Sequence, residues 1–465
     1  MIATISKKGT KATMLIRGAR VFDPGRSLDC VADVLVEKGQ ISAISPAGDG
    51  NARESGPDRP AGRGKFTGDS VIEAAGMLLL PGFIDPHTHL RTPGREDEED
   101  IASGTAAAAA GGYVHICTMP NTDPVVDNAA VLASLIEVAA DEALVRTSFF
   151  GAISRGQAGV HLSDMWDMAG AGAVGFSDDG RPVADAALLR SALEAAGLYG
   201  LPLSLHCEDS ALAGAGVMNE GEVSARLGLT GMPAVAETAD IARALEVAAY
   251  AGGRVHIAHV SCGRSLELIE AARAAGSFAA DGQPGEPATR ITCEAAPHHL
   301  LLSDREVEGL DSNFKMNPPL RAEDDRRALV AALAAGVIDC IATDHAPHAV
   351  QEKETPFEQA PFGVIGLETA FPVLYSGLVQ SGEVPLERLV LAMSAGPARA
   401  FRLPQPALAE GEEANCCLID TEQEYDIDPA RFRSKSRNSA FAGRRVRGRV
   451  LLTLAGGRVA HRDGV

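Results

Sequence analysis

Between residues 83 and 345, short apolar runs that end in polar or titratable side chains alternate with longer segments. The longer segments carry apolar residues three and four positions apart, which predicts amphipathic helices. One of them, AETADIARALEVAAYAGG, ends in a Gly pair typical of a helix C-terminus. The short runs have the length of strands, and eight of them occur: FIDPHTH, YVHICTMPN, VRTSFFGAIS, AVGFSDD, LPLSLHCED, VHIAHVSC, ITCEAAPHH and IDCIATDH.

A strand followed by a helix eight times predicts an α/β fold, a parallel (β/α)8 barrel of the TIM type. A mixed α/β sheet with fewer strands is the alternative, because short apolar runs are ambiguous between strand and buried helix. In a (β/α)8 barrel the functional side chains collect at the C-terminal ends of the strands. The polar endings of the eight runs lie where this rule requires them.

Both ends of the chain have a different pattern, with short strands in residues 13–80 and again in residues 408–465. We expect the two ends to pair into one small β domain, a β-sandwich beside the barrel. Residues 46–70 are rich in Gly, Pro and charge, which predicts a mobile loop. The predicted boundaries are 1–80 and 405–465 for the two parts of the small β domain and 81–404 for the barrel.

Charge excludes one class of partner. The 465 residues carry a formal net charge of −20, whereas nucleic-acid binding needs a basic face. An anionic substrate would therefore need a local cationic group, because the overall field repels it. Hydrophobic residues make up 46% of the chain and aromatic residues only 4%, so Ala, Leu and Val must fill the core.

Location follows from three further features of the sequence. The N-terminal residues lack the apolar core of a signal peptide. No apolar run reaches the roughly 18 residues of a membrane-spanning helix, so we expect no membrane association. The eight cysteines include no CxxC pair and lie mostly in apolar runs, which is typical of reduced thiols in a cytoplasmic protein.

Four histidines and several aspartates stand at the ends of five of the eight runs. His87 and His89 are two positions apart, so a strand directs both to the same face. The remaining candidates are Asp178, Asp179, His206, His259 and Asp344. Imidazole and carboxylate groups are ligands that divalent metals such as zinc prefer. The set is too large for one tetrahedral ion and indicates two metals that share a bridging carboxylate; strand alternation alone does not choose between Asp178 and Asp179.

Longer motifs support a family resemblance that covers the chain from about Leu15 to its C-terminus. The chain resembles members of the amidohydrolase superfamily and, within it, the long bacterial dihydroorotases. The motifs that carry the resemblance are PGFIDPHTHLRTPG, MPNTDPV, GFSDDGRPV, HCED, HIAHVS, APHHLLLSD, FKMNPPLR, IATDHAPH and APFGVIGLETAFPVLY.

The resemblance implies a role for each candidate residue. His87 and His89 would bind one Zn²⁺, His206 and His259 a second, and Asp179 would bridge them, with one or two zinc ions per chain. Asp344 would contact metal and act as the general acid and base. The substrate would be bound by His89, Arg91, Asn121, Asn317, His348, Phe362 and Gly363: Arg91, Asn121 and His348 would hold a carboxylate, and Asn317 and the Phe362–Gly363 backbone the pyrimidine amides.

The implied reaction is reversible hydrolysis of the cyclic amide of dihydroorotate to N-carbamoyl-aspartate, a step of pyrimidine biosynthesis. Two alternatives are a hydrolase of another cyclic amide, such as hydantoin or allantoin, and a non-catalytic partner of aspartate transcarbamoylase. Hydantoinases bridge their metals with a carbamylated lysine, whereas the fourth run here has no lysine. The resemblance also implies a homodimer or a complex with that transcarbamoylase. Thr92 departs from the family, which usually has an acidic residue there.

Overall fold

The computed structural model describes residues 3–6, 9–46, 71–275 and 291–465. The loop predicted at 46–70 therefore lies, after Pro46, outside the described residues. The strands of the described ranges are β1 (Met14–Asp23), β2 (Leu28–Glu37), β3 (Gln40–Pro46), β4 (Val71–Glu73), β5 (Leu78–Pro81), β6 (Phe83–Thr88), β7 (Tyr113–Thr118), β8 (Arg146–Phe149), β9 (Pro202–Leu205), β10 (Met218–Asn219), β11 (Gly231–Met232), β12 (Arg254–Ile257), β13 (Ile291–Ala295), β14 (Cys340–Ile341), β15 (Cys416–Asp420), β16 (Tyr425–Asp426), β17 (Arg445–Val446), β18 (Arg449–Ala455) and β19 (Arg458–Arg462).

Helices follow most of the strands in the central part of the chain. They are α1 (Ile101–Ala110), α2 (Ala129–Glu142), α3 (Met165–Ala171), α4 (Ala186–Gly197), α5 (Ser210–Ala213), α6 (Glu222–Leu227), α7 (Val235–Ala251), α8 (Gly263–Ala274), α9 (Pro297–Leu301), α10 (Glu323–Ala335), α11 (Val350–Lys353), α12 (Ala370–Leu374), α13 (Leu386–Met393) and α14 (Ala395–Phe401). The predicted helix of AETADIARALEVAAYAGG is α7. It ends at Gly252, whose φ of +74° favours glycine.

Parallel pairing closes the central strands into a barrel. Strands β6, β7 and β8 pair in parallel, and so do β9, β12, β13 and β14. Phe176 joins the two groups, because it pairs in parallel with Gly151 on one side and with Leu203 on the other. A parallel bridge between Thr88 and His345 completes the ring. The prediction of a TIM-type barrel is confirmed, and the alternative of a sheet with fewer strands is wrong.

The fourth barrel position is the most irregular, and packing explains why. Residues 174–177 join the ring through single bridges and backbone hydrogen bonds instead of a long ladder. A Cβ on Gly175 would lie 2.8 Å from both the Pro202 carbonyl oxygen and the Phe150 ring. The close approach of these neighbours therefore requires glycine at this position.

The two ends of the chain share one sheet, with strand order β19-β18-β15-β5-β1-β2-β3 and β4 paired to β1. The pairing of β5 with β15 joins the N-terminal strands to the C-terminal ones. One face of this sheet encloses a core of its own, and alternate residues, such as Leu80 and Cys417, pack into the barrel's core. The shared sheet agrees with the predicted pairing of the two ends; the two-layer sandwich and the boundaries at 80/81 and 404/405 stay predictions.

Of the helices in the described ranges, not one combines the length and the hydrophobicity needed to cross a lipid bilayer. All eight cysteines are free, and every one except Cys30 is buried. The prediction of reduced thiols that pack in the core agrees with this distribution.

Candidate metal centre and active site

The predicted ligands converge on one carboxylate at the C-terminal mouth of the barrel. The Oδ1 atom of Asp179 lies 3.4 Å from His87 Nε2, 3.6 Å from His206 Nδ1 and 3.4 Å from His259 Nε2. Its other oxygen lies 3.5 Å from His89 Nε2. All five side chains are buried. Asp179 therefore lies within reach of all four histidines, as the prediction of a shared carboxylate requires.

Asp178, the alternative to Asp179, has a different environment. Its carboxylate accepts hydrogen bonds from the Ile153 amide at 2.8 Å, from the Ser154 amide at 3.1 Å and from the Ser154 hydroxyl. Burial raises the pKa of Asp178 to about 6, although these hydrogen bonds lower it. Asp178 thus joins the third and fourth barrel positions, which favours Asp179 in the choice that strand alternation leaves open; the shared ligand itself stays a prediction.

Asp344 belongs to the same cluster and follows the eighth strand of the barrel, which is β14. Its Oδ1 lies 3.2 Å from His89 Nε2 and 3.5 Å from His87 Nε2. Asp344 has a φ of +49°, and two other residues of the mouth, Arg91 (+58°) and His259 (+30°), also have positive φ values. Non-glycine residues seldom adopt this region, and such conformations concentrate at functional sites.

The donor atoms suit divalent metals. Two groups, His87–His89–Asp179 and Asp179–His206–His259, each bring three ligand atoms within 4.8 Å of one another. Within the part of the chain that the structure describes, the buried His87 Nε2 has no hydrogen-bond partner. A buried nitrogen without a partner is costly unless it binds a ligand. The two groups could therefore hold two metal ions that share Asp179.

Ionisation of the cluster also suits metal binding. Burial would raise the pKa of Asp344, but its hydrogen bond to His89 and the charges of His87 and His259 lower it. Burial would lower the pKa of His206, but Asp179 and Glu208 raise it to about 10. Asp179 and Asp344, whose pKa values are lowered, are thus ionised, and a proton held by His206 is one that a metal must displace. Metal affinity is consequently expected to decrease at low pH.

Sequence reasoning missed Glu294, a buried residue of β13 whose carboxylate bonds a histidine of the cluster. It accepts hydrogen bonds at 2.8 Å from His87 Nδ1 and at 3.0 Å from His256 Nε2. Burial would raise the pKa of Glu294, but His256 and His87 lower it to about 2. The bond to Nδ1 presents the Nε2 of His87 to the cluster. A glutamate inside the apolar run ITCEAA is the signal that could have identified it.

We expect Glu294→Gln to weaken metal binding by about tenfold or more, because carboxylates that orient metal-binding histidines have effects of this size. The measurement is bound metal per chain during titration with a chelator. Glu237→Gln is the matched control, since Glu237 is a buried carboxylate that bonds Ser261 and Ser265 instead of a cluster histidine. Equal metal affinity in Glu294→Gln and the wild type would contradict the orienting role.

Beside the cluster, a cavity of about 280 Å³ has Arg91, Asn121 and His348 in its wall. The structure therefore brings together the three residues predicted to hold a carboxylate. Arg91 contacts its neighbours through Nε, at 3.0 Å from Glu98 and 3.1 Å from the Pro347 carbonyl, which leaves the terminal nitrogens for a ligand. Glu98 supplies Arg91 with a carboxylate partner, whereas Thr92 cannot.

Asn121 and Asn317 each make a hydrogen bond to another side chain. Asn121 Oδ1 lies 2.8 Å from His89 Nδ1, so it orients a predicted metal ligand. Asn317 donates from Nδ2 to Glu208 at 2.8 Å, and its Oδ1 is buried without a partner among the described residues. An unsatisfied acceptor of this kind suits an amide N–H of a ligand. Glu208, which also lies 3.7 Å from His206, is a second residue that sequence reasoning missed.

The backbone of Phe362 and Gly363 lies against the same wall. His348 Nε2 donates to the Phe362 carbonyl at 2.7 Å, and the Gly363 amide donates to the Lys315 carbonyl at 2.9 Å. These bonds bring the two residues to the cavity side of the mouth, while their predicted contact with substrate amides stays a prediction.

Comparison with known proteins gives a family match and similar folds. Residues 76–265 match the family described as Dihydro-orotase-like. Among solved structures, the chain is similar to an L-hydantoinase (dihydropyrimidinase) from Arthrobacter aurescens, with a TM-score of 0.82 and 25% identity over 98% of this chain and 97% of that one. A dihydropyrimidinase from Brevibacillus agri NCHU1002 has the same fold, with a TM-score of 0.79 and 24% identity over 97% and 95% of the two chains.

Sequence relatives are closer than these structures. The chain is 42% identical over 453 residues to a protein named Dihydroorotase from Anaeromyxobacter dehalogenans (strain 2CP-C), covering 97% of this chain and 98% of the relative. It is 43% identical over 452 residues to another of that name from Pelotomaculum thermopropionicum, covering 97% and 99%. Because this identity extends over almost the full length of both proteins, and the metal cluster and its neighbouring cavity lie within it, the chain belongs to the dihydroorotase family.

Proposed function

We propose that this protein is a metal-dependent dihydroorotase, which catalyses the reversible hydrolysis of dihydroorotate to N-carbamoyl-aspartate. The observation that carries the proposal is the position of the histidine–aspartate cluster beside a cavity whose wall contains Arg91. A metal cluster next to a guanidinium suits a cyclic amide that carries a carboxylate. The family relatives named Dihydroorotase support the same substrate.

Zinc is the proposed metal, with one or two ions per chain. His87 and His89 would hold one ion, His206 and His259 the other, and Asp179 would contribute to both, with Asp344 at the first pair. When bound, the metal supplies Lewis acidity, which polarises the amide carbonyl and acidifies water. The fit rests on the chemistry of the donor set and on the unpartnered Nε2 of His87.

In this proposal Asp344 moves the proton. Its ionised carboxylate accepts a proton from the attacking water and delivers that proton to the departing ring nitrogen. The contact with His89 at 3.2 Å keeps the carboxylate directed at the cluster. In the direction of ring closure, Asp344 accepts the proton from the attacking nitrogen and returns it to the departing oxygen.

The remaining residues bind and orient the substrate. The forked guanidinium of Arg91, together with Asn121 and His348, would hold the carboxylate, and His89 would border it. Asn317 would accept a hydrogen bond from a ring N–H through Oδ1, and the backbone of Phe362 and Gly363 would contact the pyrimidine amides. Holding the ring in this way places its carbonyl beside the cluster before reaction, which lowers the entropic part of the activation barrier.

Other parts of the proposal concern the surroundings of the enzyme. A homodimer, or a complex with aspartate transcarbamoylase, would be its assembly, and the cytoplasm its location, since eight free cysteines suit a reducing compartment. A hydantoin-type substrate is less suited, because the shared ligand is Asp179 and the fourth barrel position has no lysine. A purely non-catalytic role is disfavoured, because all six predicted ligand positions carry a histidine or an aspartate.

The experiment is an assay of the purified, zinc-supplemented chain for N-carbamoyl-aspartate formed from dihydroorotate, with bound metal counted on the same sample. We expect turnover with one or two metals per chain. We also expect the equilibrium to shift towards N-carbamoyl-aspartate as the pH rises, because ring opening creates an acid that ionises. Turnover of hydantoin or allantoin but not of dihydroorotate would overturn the proposal; metal without turnover would direct the assay to the chain mixed with aspartate transcarbamoylase.

A further inference from the structure

Residues 433–438, here named the C-terminal strap, run from the C-terminal part of the chain to the mouth of the barrel. Their side chains alternate in exposure. Ser434, Ser436 and Asn438 are at most 4% exposed, whereas Arg433 and Lys435 are exposed. An extended segment directs alternate side chains to opposite sides, so the strap turns one polar face inwards. Buried polar side chains need hydrogen-bond partners, and the loops of the barrel mouth supply them.

The first half of the strap is attached to two carboxylates, of which Glu99 is buried and Glu368 is partly exposed. The backbone amides of Arg433 and Ser434 donate to Glu368 at 2.8 and 3.1 Å, and the Ser434 hydroxyl donates to Glu99. The Ser436 hydroxyl then lies 2.9 Å from the carbonyl oxygens of both Glu98 and His348 and can donate its hydrogen to either. The strap is thus bonded to three segments: the loop after β6, the residues after β14, and the segment that follows Gly363.

Asn438 lies at the end of the strap and joins two of these loops with one amide group. Its Nδ2 donates to the Ala346 carbonyl at 3.0 Å and to the Gly363 carbonyl at 3.1 Å. Its Oδ1 accepts from the His348 amide at 3.4 Å. All the hydrogen-bonding groups of the side chain are therefore used between the residues around His348 and the backbone of Gly363.

The two loops that Asn438 joins, around His348 and around Gly363, approach each other closely. A Cβ on Gly363 would lie 2.6 Å from the Cβ of Ala346, and Gly363 has a φ of +122°. Between the same loops, His348 Nε2 bonds the Phe362 carbonyl at 2.7 Å. The separation of the two loops decides whether the imidazole and the Phe362–Gly363 backbone can bind one small molecule together. Asn438 is not itself one of the residues that line the cavity, and it touches the cavity wall through the backbone amide of His348, so its effect on a ligand must pass through these loops.

We propose that Asn438 is a positioning residue that fixes His348 against the Phe362–Gly363 backbone and so sets the affinity for the cyclic amide. This inference rests on the proposed function, because it assigns those two loops to substrate binding. It makes the C-terminal strap a determinant of substrate affinity, although the strap lies about 90 residues beyond His348 in the chain.

The test compares Asn438→Ala and Asn438→Asp with the wild type, with Asn415→Ala as the matched control. Asn415 is also in the C-terminal part of the chain, and it accepts a hydrogen bond from Gly456 at 2.7 Å within the small β region. We expect Asn438→Ala to raise KM about tenfold, with kcat within threefold of the wild-type value and bound metal unchanged. Asn415→Ala should lower the melting temperature and leave KM within twofold.

A merely structural role gives another pattern. It would lower kcat or the melting temperature at unchanged KM, and this result would overturn the inference. Asn438→Asp keeps the inference testable if Asn438→Ala does not fold, because aspartate preserves the shape of the side chain and the acceptor for the His348 amide. Its carboxylate oxygen would face two carbonyl oxygens, so we expect KM to rise at least as far. A KM within twofold of the wild type in a folded variant would also overturn the inference.

The wild-type measurement separates this inference from the proposed function. If the wild type opens hydantoin and not dihydroorotate, the proposed function fails and the KM comparison is made with hydantoin. If it opens neither substrate, with or without the transcarbamoylase, both proposals fail. If it opens dihydroorotate and the Asn438 variants match it, only the inference fails.

Discussion

Asp344→Asn is expected to lower kcat by about 1,000-fold, because a positioned acid–base group commonly contributes rate factors of this order. The amide cannot accept the proton of the attacking water, so the step assigned to Asp344 is lost in both directions. Asparagine is the suitable replacement, since the φ of +49° at this position lies in the left-handed region that asparagine tolerates. The loss therefore reports on the carboxylate and not on the backbone. The measurement is steady-state kinetics with bound metal and melting temperature recorded on the same preparation.

A matched substitution outside the cluster controls for the loss of a buried carboxylate. Asp304 is 6% exposed and accepts a hydrogen bond from Asn219 at 3.0 Å. We expect Asp304→Asn to lower the melting temperature and to leave kcat within a fewfold of the wild type. If Asp344→Asn retained about a tenth of wild-type turnover or more, Asp344 could not be the proton carrier of the mechanism.

Arg91→Lys is expected to raise KM about 100-fold while bound metal stays constant. A bidentate, charge-assisted pair with a carboxylate contributes about 2–3 kcal/mol to the free energy of binding. Lysine cannot reproduce the forked geometry of this pair. The hydrogen bond from Nε to the Pro347 carbonyl and the ion pair with Glu98 orient the guanidinium, and lysine cannot reproduce both with the same geometry. The overall charge of −20 makes this local cation more important, because the rest of the molecule repels an anionic substrate.

Arg243→Lys is the control for this substitution. Arg243 also bonds a carboxylate, Asp240 at 2.9 Å, and a backbone carbonyl, that of Val183 at 2.7 Å, but it is not part of the cavity wall. Its replacement should affect the melting temperature and not KM. Loss of metal from Arg91→Lys at unchanged KM would instead assign Arg91 to the support of the metal centre.

Much of this architecture is encoded locally. The alternation of strand-length runs with helical segments predicts the barrel, because both periods are set by neighbouring residues. Two histidines two positions apart at the end of β6 necessarily share a face, so the spacing alone identifies His87 and His89 as a pair. The rule that strand ends meet at one mouth then places His206, His259 and Asp344 with them.

Other features depend on partners that are distant in the chain. Asp178 and Asp179 have equivalent sequence surroundings, and it is Asp178 that accepts hydrogen bonds from the amides of Ile153 and Ser154 and from the Ser154 hydroxyl, some 25 residues earlier. The importance of Glu294 arises from His87, which is 207 residues away.

The sequence by itself thus determined the barrel and predicted the metal-ligand set and the carboxylate-binding residues, since strand and helix periods specify where each side chain points. The tertiary structure placed Asp179 among the four histidines and bonded Asp178 to Ile153 and Ser154. It also gave Arg91 the carboxylate partner Glu98 and put Asn438 between two loops of the mouth. The physical reason is that side-chain direction follows from the local backbone, whereas a buried polar group acquires its partner only when distant segments pack together.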